Sequence, residues 1–177
     1  MWRAAVLVCA GLLGWAPGSG AQAATLCQTD ETVAFSCETG RGIASLCQAG
    51  TARRPLLRYR FGRPTHTELS WPATDRRPAR AFQSGELSFS GGGGAFVRFQ
   101  NGRYRYTVFT ATGHWSTGDA AASVAGVAVD RDGQNAASLV CRPETVQSSL
   151  GEPLFKGLRM KPADAQGFEI PDAFLSR

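Results

Sequence analysis

The side chains best suited to chemistry in this sequence are arginines. Arg58 and Arg60 alternate along one strand-like stretch, Arg103 and Arg105 along another, and Arg98 lies just before them. Residues two apart on a strand share a face, so these five are expected to form one cationic sheet surface interleaved with aromatics. Guanidinium groups bond phosphate and carboxylate through paired N–H donors, which makes such a surface an anion holder. The competing interpretation is a solvated outer face in a chain with 17 arginines and two lysines. From Arg41 to Arg80, nine arginines meet only Glu68 and Asp75, a local +7 in a chain of formal charge +5.

Other residue groups carry less. His114, with Ser116 and Asp119 in the same loop, has the residue types of a nucleophile, base and acid, but loop neighbours rarely take triad geometry. No Gly-x-Ser-x-Gly elbow occurs anywhere in the chain,. His66 precedes Glu68 on one strand face, and a metal would need a third ligand. The run Gly91–Gly94 lacks the Lys-Ser/Thr of a phosphate loop and is expected to be a hairpin connection or bulge. Trp71 shares a strand face with Leu69 and is expected in the core. Trp115 sits in a loop of small polar residues, where an exposed ring would contact a partner or a sugar. Neither metal nor cofactor is expected, and no catalytic residue is assigned.

The cysteines and the N-terminus set the compartment. Arg3, the apolar run Ala4–Trp15 and the small residues Ala21 and Ala23 form a signal peptide over residues 1–23,. Twelve apolar residues fall short of a bilayer core of ~30 Å. Cys9 leaves with that segment. Cys27, Cys37, Cys47 and Cys141 remain, and an even set in an exported chain points to two disulfides. Their spacing contains no close Cys-x2-4-Cys pair, which argues against a zinc site. Three connectivities are possible. A first hairpin that places Cys37 opposite Ile43 and Val33 opposite Cys47 disfavours Cys37–Cys47 and leans to Cys27–Cys47 with Cys37–Cys141.

Period-two alternation supplies the elements that must position these residues. Strands are expected at 32–37, 43–48, 56–61, 67–71 and 86–90. Asn101-Gly102 centres a hairpin over residues 95–110, with Gln100 opposite Arg103 in a type I′ turn. Ala95, Val97, Phe99, Tyr104, Tyr106 and Val108 then share its apolar face. Asp132-Gly133 joins a second hairpin from 123–130 to 135–141. Residues 143–150 suggest a short helix stopped by Gly151, and Pro153, Pro162 and Pro171 forbid long elements after it. About eight short strands without βαβ alternation make the fold all-β, a small antiparallel barrel or two-sheet sandwich. It spans residues 24–141, with an irregular C-terminal segment, 142–177, docked on it.

Phe35-Ser-Cys37, Ser45-Leu-Cys47, Tyr59-Arg-Phe-Gly62, Glu68-Leu69, Gly91–Gly94 and Tyr104-Arg-Tyr-Thr-Val together resemble a family of small exported proteins of Gram-negative bacteria. The resemblance covers Cys27 to Cys141, implies export and the β fold, and brings no catalytic or binding residue with it. The function expected is a non-enzymatic binding module in the periplasm or secreted. Arg58, Arg60, Arg98, Arg103, Arg105 and Trp115 are its contact residues. Its ligand would be an acidic polysaccharide, lipopolysaccharide or an envelope protein, and export argues against nucleic acid. A hydrolase using the His114 loop and a structural envelope protein are the alternatives.

Overall fold

Two runs of consecutive hairpins build the molecule. A computed structural model describes residues 24–89, 91–115, 120–163 and 167–175. The expected signal peptide, together with Ser90, Ser116 and Asp119, lies outside them. The first run is β1 (Thr32–Glu38), β2 (Ile43–Thr51), β3 (Arg54–Arg63) and β4 (His66–Trp71). Helix α1 (Pro78–Ala81) leads into the second run: β5 (Phe82–Phe89), β6 (Gly92–Asn101), β7 (Tyr104–Gly113), β8 (Ala122–Arg131) and β9 (Gln134–Val140). The short strand β10 (Gln147–Ser148) then joins β1, and β11 (Lys161–Pro162) joins β5 in parallel. The sheet orders are β10-β1-β2-β3-β4 and β11-β5-β6-β7-β8-β9. Neither sheet closes on itself, so the fold is the sandwich rather than the barrel.

Strand alternation divides each sheet into an inner and an outer face. Phe35, Leu46, Leu57 and Tyr59 meet Val97, Phe99, Val108 and Val127 between the sheets, all of them buried. Trp71 stacks on Phe99 at 4.6 Å and meets Phe82 edge-on at 5.1 Å, so it is a core residue as expected. Helix α2 (Glu152–Gly157) and the residue after it contribute Phe155 and Leu158 to the same core.

Both outer faces are covered by chain that is not strand. Over the five-stranded sheet, residues 24–31 form a strap. The Leu26 N–H donates to Ser45 Oγ at 3.0 Å, and Ser36 Oγ donates to the Ala24 carbonyl at 3.0 Å. Over the six-stranded sheet, Phe168, Ile170 and Phe174 lie against Phe96, Phe109 and Ala128. Gly126 makes room for this second strap, because a Cβ there would stand 2.5 Å from the Phe174 ring. Burying Phe174 to 1% exposure is worth ~1.5–3 kcal/mol,.

The cysteines pair as Cys27–Cys47 and Cys37–Cys141. The first pins the N-terminal strap to β2, and the second ties β1 to the chain just after β9, across the two sheets. The first hairpin pairs Cys37 with Ala44 rather than Ile43. A bulge between Val33 and Phe35 absorbs the extra residue and still brings Val33 opposite Cys47.

Two local expectations change. The central hairpin pairs Asn101 with Tyr104 and Phe99 with Tyr106, two residues off the expected register. Gly102 takes φ +60° as the first of the two turn residues, and Arg103 has no positive φ. That is the pattern of a type II′ turn, which asks for glycine at the first central position, instead of type I′. A slip of two preserves side-chain parity, so the expected apolar face survives. The second hairpin is type I′ as expected, with Asp132 at φ 53° and Gly133 at φ 85°. The expected helix before Gly151 is a 3-10 turn at Pro143–Thr145 followed by β10. The true helix starts after Gly151, because Pro153 suits a first helical turn and residues 147–148 are taken by β1,.

Candidate functional site

The five arginines do not share a face. Arg58 and Arg60 alternate with the buried Leu57 and Tyr59 on β3, and so point out of the five-stranded sheet. Arg98 and Arg105 alternate with Val97, Phe99 and Tyr106, and point out of the six-stranded sheet. The expected single surface is therefore two surfaces on opposite sides of the sandwich.

Most of these cations are also engaged. Arg58 donates to the Pro72 carbonyl and to Asp75, each at 2.6 Å. Arg60 lies under the N-terminal strap and donates through both terminal nitrogens to Glu31, at 2.5 and 2.9 Å. Burial pushes the Glu31 carboxyl up. The Arg60 hydrogen bonds, the Gln28 N–H and the charges of Arg60 and Arg58 outweigh that, and hold it below the ordinary carboxylate value,. Arg103, at the hairpin turn, pairs with Asp132. Arg98 is 6% exposed beneath the C-terminal strap, with Nε on Thr107 Oγ1 at 3.3 Å and Nη2 on the Gly167 carbonyl at 3.0 Å. Its guanidinium also lies over the Phe96 ring at 5.0 Å.

Two of the five nonetheless converge. Arg98 and Arg105 line a groove of about 520 Å³ together with Arg80 and Lys161. Four separate elements bring the cations together. Helix α1 carries Arg80 in its last turn just before β5, and β11 sets Lys161 beside Gln83 of β5. Gln83 pairs in turn with Arg98 on β6, and Gln100 pairs with Arg105 on β7. Among the described residues no carboxylate lines the groove. Asp130 stands 3.7 Å from Arg105, and both Arg80 and Lys161 are exposed. The described lining holds no histidine, cysteine, serine or threonine either. The groove is equipped to hold an anion, and its one amine, Lys161, is exposed. Arg80 was visible in the sequence only as part of a charge run, and Lys161 carried no local signal at all.

The remaining candidates lie elsewhere. Trp115 is half-buried, with its ring 5.0 Å from Phe89 and its Nε1 donating to the Ala122 carbonyl at 2.7 Å. The loop residue expected to reach for a partner is thus fixed against the end of its own sheet. His114 is exposed and makes no hydrogen bond or ion pair among the described residues; Ser116 and Asp119 lie outside them. His66 and Glu68 are exposed on β4 and gather no third metal ligand among the described residues. Cys27, Glu31 and Cys47 are close enough to share an ion. Their donors are already committed, to the disulfide and to Arg60.

No family model, no curated protein and no solved structure matches this chain. Its class therefore rests on its own architecture, a disulfide-linked two-sheet β-sandwich. Two disulfides place it in an oxidising, extracytoplasmic environment,. No helix among the described residues is long and apolar enough to cross a membrane.

Proposed function

We propose that this protein is a non-enzymatic binding module of the bacterial cell envelope, periplasmic or secreted, that holds an anionic envelope component in the groove of Arg80, Arg105 and Lys161. The carrying observation is that these cations, from α1, β7 and β11, line one concavity together with the strap-bound Arg98 of β6, and that no acidic side chain among the described residues lines it. Arg80 and Lys161 are exposed there, and a phosphate or carboxylate that bridges them gains charge-assisted hydrogen bonds,. The ligand class is the phosphate or uronate chemistry of lipopolysaccharide and acidic polysaccharides. An acidic patch on an envelope protein offers the same carboxylates.

Salt-gradient elution from heparin tests this reading. Wild-type protein is expected to be retained and to elute earlier as salt rises, since exposed charges are screened beyond ~8 Å at physiological ionic strength. Arg80→Ala with Lys161→Ala should elute at clearly lower salt. Arg53→Ala with Arg54→Ala removes the same charge from the β2–β3 turn and should elute close to wild type. Equal shifts for the two pairs would show that net charge alone drives retention, and would end the groove reading.

A further inference from the structure

The six-stranded sheet ends unevenly. β8 pairs with β7 along its whole length, from Ala122 opposite Gly113 to Arg131 opposite Tyr104. β9 pairs with β8 only as far as Val140 opposite Gly126. One more bond follows, from the Cys141 N–H to the Ala125 carbonyl at 3.0 Å. The chain then crosses to the other sheet, where Cys141 bridges to Thr39 and the Arg142 N–H donates to the Glu38 carbonyl at 2.8 Å. Residues 122–124 therefore have β7 on one side and, among the described residues, no strand on the other.

Strand parity says what that open edge offers. Successive residues of a strand turn their N–H and C=O to opposite neighbours. Ala125 turns to the β9 side, because its carbonyl takes the Cys141 N–H, and so Ser123 turns there too. Ser123 is exposed, and no described residue bonds its N–H or C=O from that side. Beside it lies a notch of about 220 Å³, larger than the ~150 Å³ that holds a benzene-sized group. Val124, Val140 and Phe174 wall it on the outer face of the sheet, and Ala125, Cys141 and Val146 on the inner face. No charged side chain is among its described lining residues. The notch is the space that a longer β9 would fill.

We propose that this notch receives an extended, uncharged segment of a partner protein, added to the sheet as a strand in the line of β9. The open edge selects a polypeptide. The partner residue opposite Ser123 accepts from its N–H and donates to its C=O, the mutual pair of an antiparallel ladder. Parity sends that residue's side chain to the inner wall and that of its neighbour, opposite Val124, to the outer wall. Both walls are apolar, so both side chains are apolar; a charge there would be desolvated with no counter-ion. A compact apolar molecule fills the notch and leaves Ser123 unpaired. The cationic groove lies toward the opposite, β11–β5 edge of the sheet, so the two sites are independent.

An amide NMR titration of the disulfide-bonded protein with the capped peptide Ac-Ser-Val-Leu-Val-Ser-NH2 tests the proposal. Saturable shifts are expected at Ser123, Ala125, Val140 and Val146, with Kd below about 10 mM. The fully N-methylated peptide keeps the side chains and loses every donor, and should bind about tenfold more weakly. Ser123→Pro removes the outward N–H and leaves the β7 pairing, and should also weaken binding about tenfold. Ser123→Ala keeps that N–H and should bind as wild type does. Should Ser123→Pro fail to fold, Val124→Lys charges the outer wall and should weaken binding as much. The proposal is overturned if no saturable shift occurs or if the shifts fall away from the notch. It is also overturned if the N-methylated peptide binds equally well, or if a folded Ser123→Pro or Val124→Lys protein binds as wild type does.

Discussion

Replacing Glu31 by Gln removes one partner of the Arg60–Glu31 pair and leaves a guanidinium under the N-terminal strap. The side chains are 10% and 6% exposed, so solvent screens the pair little. The loss is expected at the lower end of the range for breaking a buried pair, about 3 kcal/mol, because the Cys27–Cys47 bridge still tethers the strap,. For a chain of this size that is a fall in Tm of about 6–12 °C. The pH dependence has a definite sign. The Glu31 carboxyl sits below its ordinary value of 4.5, so its stabilisation is fully present above that pH and is lost as pH falls through the folded value,. Urea melts of wild type and Glu31→Gln should differ most near neutrality, and the gap should narrow as the pH falls below 4.5 and close once it has passed the folded value,. Adding Arg60→Met should restore much of the loss, since both charges are then gone. A neutral-pH difference under about 1 kcal/mol, the size of an exposed pair, would refute this account. So would a gap that persists unchanged into acid.

The two disulfides should differ in weight. They close separations of 20 and 104 residues, and loop-closure entropy assigns them about 3.3 and about 4.7 kcal/mol. Replacing Cys37 and Cys141 by Ala should therefore lower the urea midpoint more than replacing Cys27 and Cys47, and the reverse order would mean that the strap outweighs the inter-sheet bridge. At the central hairpin, a Cβ on Gly102 would meet nothing within 4 Å, so its φ of +60° is the whole cost of Gly102→Ala. Thermal melts should show a loss of about 1–2 kcal/mol there. Asn101→Ala should cost no more than about 0.5 kcal/mol; a larger loss at Asn101 than at Gly102 would argue for a type I′ turn after all.

Strand positions were readable from the sequence because alternation is a local property. Asp132-Gly133 located its turn to the residue, and the apolar face of residues 95–108 survived a register error of two because parity did. The arginine surface was not readable, for a different reason. Period-two alternation says that Arg58 and Arg60 share a face and that Arg98 and Arg105 do. It does not say that β3 and β6–β7 belong to different sheets. Nor does it say that Gly167, far along the chain, closes over Arg98. The same holds for Lys161, which reaches the groove through a two-residue strand next to a proline.

The straps decide which polar groups of the two sheets are left to solvent. A sandwich ordinarily exposes two outer faces, and here both are occupied. Ser36, Ser45 and Arg60 on the first sheet, and Arg98 and Thr107 on the second, face outward and are nonetheless buried. They bind the straps to the sheets, through Ala24, Leu26 and Glu31 on one side and Gly167 on the other. Arg80 and Lys161, where α1 and β11 meet the edge of β5, are left exposed. On β7, Arg105 turns to that groove, whereas Tyr106 turns toward Tyr59 and Phe99 between the sheets. Substitutions at alternate positions along β7 should therefore separate anion binding from stability, because parity keeps each side chain on its own side of the sheet.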